Sequence, residues 1–553
     1  MSHHQGMADK VPLMFQAQTE GRCQLQYAAS EDAQRWASEW IEKAESYPRQ
    51  WSGIQSRTYT LSWRFVTNGG QDDGIIRPVI GAFGLPYYPG SSMKGAFREA
   101  CQQLHPEKVD DYCGNAEKPG ILRFHGGYPT DDRWQENLVD VVHPQQGWQV
   151  KTNDTSNKPR GESAFALISL YKPEFEFGIS STSSLEAAEW KTIWDIWELA
   201  ISVGLGCRVS AGYGQPKQQK RDILYRAHLI GQGLASTLLD GESEFRPNIF
   251  KATLRGHALR IFGGLTDAAT AEKLVETLFG GVTERATVGL LAMNWNEFSL
   301  ALKPFDEGYG EPTYAVEGVL RWFLTQSLPS EERKALQKLV KNLTSFAMLL
   351  GGFGKSWRRA DHRLFYPEYY EDKEIKPLIG CHWQWGKRSQ IPYNVVRQLA
   401  TVGDFIDNVR DSAQEWMQCQ GLTSTPNNYA NWREAWHPNQ VQVWGREADS
   451  AEDSEAIDWF HGPYQKAYRD LGIAEGSIYH TAITGRVNQI SRLWNRMYPK
   501  IRFVKDPATP KKPMARPTNF FFELLTIFPD SSPRSRQFLD FLASEMTTFQ
   551  RLW

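Results

Sequence analysis

A glycine-rich loop that leads into a helix is the feature that most constrains the fold. Residues 84–101 read GLPYYPGSSMKGAFREAC, in which a Pro-Gly-Ser-Ser turn precedes a helix predicted over about 93–104. The other elements, in chain order, are a strand at 57–66 before the loop and, after the helix, strands at 120–129 and 165–180, a helix at 185–203 and a second glycine-rich loop at 204–217. This order predicts an α+β domain with its helices on one face of a sheet.

The second half of the sequence repeats this plan in a divergent form. Its elements are a strand predicted at 250–264 (FKATLRGHALRIFGG), an apolar strand at 287–295, a helix at about 331–350 and the glycine-rich loop GGFGKSWRRADHR at 351–363. Matched features in the same order predict a tandem duplication. The predicted divisions are an N-terminal helical extension (1–50, with a helix at 30–47), a first domain (51–231), a linker (232–247), a second domain (248–445), an acidic solvated loop (446–458) and a basic, helical region (459–553) that could complete the second domain.

Composition restricts the possible functions. The chain has 553 residues, too many for a single core. Its formal net charge of −2 excludes a uniformly basic nucleic-acid binder, so any such surface must be local. No apolar run approaches the roughly 20 residues that a membrane span needs. Six cysteines without Cys-x-x-Cys spacing, and no recognisable signal peptide, favour a reducing, cytoplasmic setting.

Four side chains with metal-binding chemistry lie close together in the sequence: Cys101, His105, Cys113 and His125. Their spacing matches no familiar zinc site. We therefore expect buried thiols and surface histidines rather than a metal centre, and no cofactor is predicted.

The first glycine-rich loop is typical of an anion site. Backbone N–H groups and the positive end of the helix dipole attract an anion, and glycine lets it approach the main chain. Ser91 and Ser92 lie in the turn, and Lys94 and Arg98 would add positive charge one helical turn apart. The glycine, lysine and hydroxyl order of nucleotide hydrolases is missing, so a nucleic-acid phosphate is the expected ligand. The alternative is a tight turn followed by two surface cations.

Other basic and aromatic residues are candidates for contact with phosphates or for stacking on bases. The candidates are Arg208, Tyr213, Arg255, Arg260, Lys355, Trp357, Arg358, Arg359, Arg492 and Arg496. In the loop at 351–363 the alternative is that Trp357 covers a core and the arginines are solvated. A third possibility is that the 21 tryptophans form subunit interfaces, which would make the chain a protein-interaction module without direct RNA contact.

These motifs resemble the RAMP superfamily, the repeat-associated proteins of type III CRISPR effector complexes. GLPYYPGSSMKGAFR resembles the superfamily's hallmark loop, and GLGCRVSAGYG (204–214) resembles its C-terminal glycine-rich loop. Residues 55–217 are similar to the sixth subunit of Cmr (type III-B) complexes, and 250–385 more loosely to the first. The resemblance implies tandem ferredoxin-like (RRM-related) domains. It also implies contact with crRNA toward its 3′ end, possible contact with target RNA, and partners among the backbone, large and small subunits of an antiviral ribonucleoprotein.

RNA cleavage is the alternative function. RAMP subunits that cleave target RNA place an aspartate before a Ser/Pro-Val step, where this sequence has Ile76 or Arg77. Arginine stays protonated and cannot serve as a general base or a metal ligand. Asp72, Asp73 and His143 remain as catalytic candidates, and a divalent metal would be needed only in this case. The sequence favours binding over catalysis.

Overall fold

We analysed the protein as a computed structural model, which describes residues 30–44, 51–67, 69–72, 75–142, 147–152, 165–238, 241–282, 286–303, 312–366, 379–387, 396–425, 427–464, 476–485, 489–505 and 513–553. The α-helices of these residues are α1 (Ser30–Lys43), α2 (Gly90–Leu104), α3 (Val109–Cys113), α4 (Trp148–Lys151), α5 (Ala187–Val203), α6 (Ile249–Gly263), α7 (Ala268–Phe279), α8 (Ser330–Leu350), α9 (Val402–Cys419), α10 (Glu455–His461) and α11 (Pro533–Leu542). None of these helices combines the length and the apolar character that crossing a membrane requires.

The strands of the described residues form several antiparallel sheets and one mixed sheet. They are β1 (Gln55–Thr60), β2 (Arg64–Phe65), β3 (Gly70–Asp72), β4 (Ile75–Arg77), β5 (Leu122–Pro129), β6 (Val139–Val142), β7 (Phe165–Ile168), β8 (Leu170–Tyr171), β9 (Glu174–Ser181), β10 (Tyr225–Leu234), β11 (Ser236–Thr237), β12 (Ser243–Glu244), β13 (Gly281–Val282), β14 (Ala286–Thr287), β15 (Leu291–Lys303), β16 (Thr313–Leu324), β17 (Cys381–Trp385), β18 (Gln442–Ala448), β19 (Leu493–Lys505), β20 (Pro513–Ile527) and β21 (Gln550–Arg551).

The first sheet has the spatial order β1-β9-β5, and its strands are antiparallel. Helix α2 follows β1 and helix α5 follows β9 in the chain. After α5 the chain returns beside β1, where Leu61 and Pro216 pair in an isolated bridge. This is the βαββαβ connectivity of a ferredoxin-like domain, with its last strand reduced to a single bridge.

The second sheet repeats that connectivity in full. Its spatial order is β15-β16-β10-β17, and every neighbouring pair is antiparallel. Helices α6 and α7 lie between β10 and β15 in the chain, and α8 lies between β16 and β17. The predicted α+β class and ferredoxin-like connectivity are therefore confirmed.

A third sheet has the same plan, which the sequence did not predict. Its order is β19-β20-β18-β21, with α10 after β18 and α11 after β20. Residues 459–553, expected to be basic and helical, thus contain the long β19–β20 hairpin. Of residues 446–458, predicted to be a solvated loop, 446–448 end β18 and 455–458 begin α10. Arg446 on β18 is buried, and its Nε lies 2.8 Å from Glu523 of β20. The domain boundaries themselves stay a prediction.

The segment at 250–264 is a helix, α6, and the prediction of a strand there was wrong. Its buried residues include Phe250, Leu254, Ala258 and Ile261, which recur every three or four positions. That spacing belongs to one side of a helix, whereas a half-buried strand would alternate. In a helix, residues three or four positions apart share one side, so the cations and the apolar residues of this segment face other directions than they would in the predicted strand.

Three hydrophobic cores account for most of the buried side chains. Helix α1 packs on the first core, where the buried indole of Trp40 donates a hydrogen bond of 2.7 Å to the Gly84 carbonyl. The second core is shared by the second and third sheets: Trp436 and Trp494 lie in it with ring centroids 5.5 Å apart. A smaller third core lies on the other side of the third sheet.

The first unit is the part of the chain built around the first sheet, from β1 to the bridge between Leu61 and Pro216. Gly206 fixes the position of its second glycine-rich loop. Its φ of 77° lies in the left-handed region, and a Cβ there would be 1.9 Å from the Val66 carbonyl oxygen. Only glycine satisfies both conditions, so the loop lies directly against the end of β2.

We expect Gly206→Ala to destabilise the protein by about 2–4 kcal/mol, since it adds a backbone clash to the strain of a positive φ. Gly53→Ala is the matched control: its φ is 73° and nothing lies within 4 Å of the added Cβ. The control should cost about 1 kcal/mol. Thermal unfolding of both variants checks this, and equal shifts in melting temperature would contradict it.

Candidate nucleic-acid interface

The first glycine-rich loop ends at the N-terminus of α2, which presents a polar outer face. Met93 and Phe97 are buried beneath the helix, whereas Ser91, Ser92 and Lys94 are exposed. Within the described residues, Lys94 forms no hydrogen bond or ion pair. The turn and its lysine therefore lie open to solvent, as the anion-site prediction requires.

Arg98 lies on the same face as Lys94 but is partly engaged within the protein. Its Nη1 donates a hydrogen bond of 2.7 Å to the Gly114 carbonyl, and its Nη2 is 3.7 Å from an Asp110 carboxylate oxygen. The side chain is still 46% exposed. Arg98 can thus reach a ligand only by sharing its charge with Asp110.

The two glycine-rich loops of the first unit touch each other through Tyr88. The backbone of Tyr88 pairs with Gly127 of β5, which holds the first loop on the sheet. Burial raises the pKa of Tyr88 to about 12, and a hydrogen bond from the Gly206 backbone acts against that rise. The loops at 84–95 and 204–214 therefore lie next to each other.

The second loop carries an exposed cation on a rigid support. Arg208 adopts φ 59°, in the left-handed region, just before a short 3₁₀ helix at Val209–Ala211. Gln215 anchors that helix, because its amide nitrogen donates hydrogen bonds to the carbonyls of Val209 (2.7 Å) and Met293 (3.0 Å). A strained non-glycine residue on a fixed loop is common at binding sites.

Lys251 of α6 also reaches this loop, and the sequence analysis missed it. Its Nζ donates a hydrogen bond of 2.6 Å to Ser210 Oγ. Lys251 and Arg255 lie four residues apart, so they share one side of the helix. That spacing was the available signal, but the predicted strand at 250–264 concealed it.

Tyr213 does not present its ring to a ligand. Its side chain is buried, and its hydroxyl donates a hydrogen bond of 2.9 Å to Asp140, whose carboxylate pairs with Arg246 at 2.6 Å. Burial raises the pKa of Tyr213 above its ordinary value. We therefore omit Tyr213 from the interface and assign it to the packing beneath Arg208.

Two further predicted contacts, Arg260 and Arg358, are buried around a single carboxylate. Arg260 Nε and Arg358 Nη2 each lie 2.8 Å from a carboxylate oxygen of Glu434, and the adjacent Arg433 also pairs with it. Burial by itself would raise the pKa of Glu434, but the three guanidinium groups lower it to about 2. Arg260 and Arg358 are therefore engaged within the core and do not face a groove.

The remaining predicted cations of the second half mostly hold the third sheet in place. Arg359 donates hydrogen bonds to the carbonyls of Thr484 and Leu493, Arg496 donates to the Arg359 carbonyl, and Arg492 pairs with Asp530. Trp357 packs edge-on against Trp494 at 4.8 Å between the guanidinium groups of Arg260 and Arg358. Lys355 is exposed and Arg255 half-buried. Of this set, we keep only Arg255 and Lys355 as interface candidates.

Of the three catalytic candidates, the structure describes Asp72. Asp72 lies at the end of β3, and Asp73 and His143 lie outside the described residues. The described part of the chain contains no group of three His, Cys, Asp or Glu side chains able to hold a metal ion. His125 contacts Ser180 at 2.8 Å and His105 contacts Glu107 at 3.3 Å, so these two histidines face other partners.

We expect Glu434→Gln to cost about 3–5 kcal/mol of stability, because it leaves three buried guanidinium groups without their anion. Glu415→Gln is the control, since Glu415 pairs with Lys338 at the surface and should contribute under about 1 kcal/mol. Denaturation at neutral pH checks the difference.

The same pair of variants predicts a pH dependence. The low pKa of Glu434 stabilises the folded protein above about pH 4.5, and this contribution is lost as the pH falls toward 2. The acid destabilisation of the wild type should therefore be steeper than that of Glu434→Gln. Parallel acid-unfolding curves would contradict the assignment.

Part of the chain is similar to a known protein family. Residues 69–217 match the family model of the RAMP superfamily. Comparison with curated protein sequences finds no significant match. Among solved structures, the chain is similar to one in the cryo-EM structure of the type III-B Cmr-beta bound to cognate target RNA, with 22% identity and a TM-score of 0.23. That match covers 29% of this chain and 56% of the other, so this protein spans little more than half of that relative.

A second similar structure is the crystal structure of Cmr6 from Pyrococcus furiosus, with 15% identity and a TM-score of 0.20. The match covers 30% of this chain and 98% of the Cmr6 chain. The family-model match contains both glycine-rich loops of the first unit. Residues 69–217 are therefore similar to the RAMP superfamily.

Proposed function

We propose that this protein is an RNA-binding subunit of a type III CRISPR effector complex. The RAMP superfamily match supports this, because the matched residues include both loops of the candidate interface. crRNA, toward its 3′ end, is the expected ligand, and target RNA is a possible second one. Other subunits of the complex are the expected protein partners.

The observation that carries the proposal is a contrast between two kinds of cation. In the second half, Arg260 and Arg358 share a buried carboxylate. On the RAMP loops, the exposed Lys94 and Arg208 form no ion pair within the described residues. Cations on an open surface beside free backbone N–H groups suit the phosphates of a nucleic-acid strand, which are bound largely through charge.

A backbone-binding surface of this kind predicts how affinity depends on salt. Each phosphate contact with a single strand contributes about −0.7 to the slope of log affinity against log salt. The double variant Lys94→Ala/Arg98→Ala should therefore bind a fluorescein-labelled single-stranded RNA more weakly, with a slope shallower by about 1.4. Fluorescence anisotropy of the full chain over a range of salt concentrations measures both quantities.

The matched control is Lys191→Ala/Lys334→Ala, which removes two exposed lysines of α5 and α8, each paired with an acid of its own helix. Its affinity and slope should equal those of the wild type. Equal binding by both double variants, with unchanged melting temperatures, would overturn the assigned surface. If the wild type cleaves the RNA and Asp72→Ala/Asp73→Ala does not, the ribonuclease alternative is favoured instead.

A further inference from the structure

Three cations converge where the first unit meets the first helix of the second. Arg208 lies on the glycine-rich loop at 204–214, and Lys251 and Arg255 lie on α6. The hydrogen bond from Lys251 Nζ to Ser210 Oγ, 2.6 Å long, crosses the junction. Arg255 donates a hydrogen bond to the Gly280 carbonyl, which holds its guanidinium group in place. The loop and the helix thus present their positive charges to the same place.

Within the described residues, no carboxylate forms an ion pair with any of these three cations. Glu276 is the acid that acts on Arg255, and one of its oxygens accepts a hydrogen bond of 2.8 Å from Thr287 Oγ1. The charged groups that act on Lys251 are Arg255 and Arg208, both of the same sign. The like charges repel one another, and a bound anion would offset this repulsion.

The pKa of Lys251 agrees with the lack of a carboxylate partner among the described residues. Burial, together with the charges of Arg255 and Arg208, lowers its pKa to about 8. A lysine with a carboxylate partner would keep its pKa near or above 10.5. At neutral pH the ammonium form still predominates, so the site is positively charged when it meets a ligand.

We propose that Lys251, Arg255 and Arg208 form one phosphate-binding site, completed by Ser210, that takes a single phosphodiester of an RNA strand at the junction of the first and second units. The proposal rests on the proposed function, because it assumes that the strand that contacts Lys94 continues past the second loop. Lysine and arginine supply the charge, and the serine hydroxyl can donate a hydrogen bond to a phosphate oxygen.

The site makes RNA affinity depend on pH in a range where phosphodiesters do not titrate. A bound phosphate raises the pKa of Lys251, so binding takes up a proton once the free protein has lost it. With a free pKa of about 8, the protonated fraction falls about tenfold between pH 7 and pH 9. RNA affinity should fall by about the same factor.

The experiment measures the dissociation constant of labelled single-stranded RNA at pH 7 and pH 9 and at constant ionic strength. Lys251→Arg keeps the charge but does not titrate, so it should bind like the wild type at pH 7 and lose the pH dependence. Lys251→Met should bind about tenfold more weakly at pH 7, again without pH dependence. If a variant fails to fold, calorimetry of the wild type at pH 8 in buffers of different ionisation enthalpy should show uptake of about half a proton per RNA bound.

The outcomes separate the two proposals. Wild-type affinity that stays equal at pH 7 and pH 9, or a pH dependence retained by Lys251→Arg, would overturn the Lys251 site and leave the proposed function intact. Absence of RNA binding at both pH 7 and pH 9 would overturn both proposals. Loss of binding in Lys94→Ala/Arg98→Ala together with an unaltered Lys251→Met would place the strand on the first loop alone.

Discussion

The carboxylate of Glu434 is the group on which the arrangement of this protein depends. It pairs with Arg260 of α6, with Arg358 of the glycine-rich loop after α8, and with its neighbour Arg433. Arg433 also donates hydrogen bonds to the carbonyls of Gln149 in the first unit and of Ile490 just before β19. One buried ion cluster thus joins α6 to the loop after α8 and, through Arg433, to α4 and to the segment before β19. Because removal of one member leaves a buried charge uncompensated, these segments hold one another in place.

This internal network changes the meaning of a basic residue in the chain. The arginines near residues 351–363 and 492–496 give those segments a nucleic-acid-like composition, yet most of their N–H groups are directed at Glu434, Asp530 and main-chain carbonyls. The cations kept as candidates are Lys94, Arg98 and Arg208 of the first unit, Lys251 and Arg255 of α6, and Lys355 in the loop after α8. Most of the candidate anion-binding surface therefore lies on residues 69–217 and at their border with α6.

Whether a feature of the fold or the site could be predicted depends on how far apart in the chain its interacting residues lie. Local patterns indicated α2, α5 and α8 and the glycine-rich loops, because turn chemistry and periodicity act over a few residues. The α6 segment was misassigned because Arg255, Gly256 and Arg260 obscured its helical period. The fate of Arg260 was not predictable, since its partner Glu434 lies 174 positions away in the chain. Lys251 was missed because the predicted strand concealed its four-residue spacing from Arg255, and because its partner Ser210 lies 41 positions away in the chain.

The βαββαβ connectivity that recurs in three sheets bears on how such a chain can evolve. Repeated units are ordinarily gained and lost by recombination within a gene, because each contacts only its neighbours. Here Glu434 and the three arginines that pair with it lie between residues 260 and 434, so the loss of a flanking unit would leave the anion paired. Such a loss would instead remove a main-chain acceptor of the buried Arg433, the carbonyl of Gln149 or that of Ile490. A buried N–H group without its partner would destabilise the shortened product.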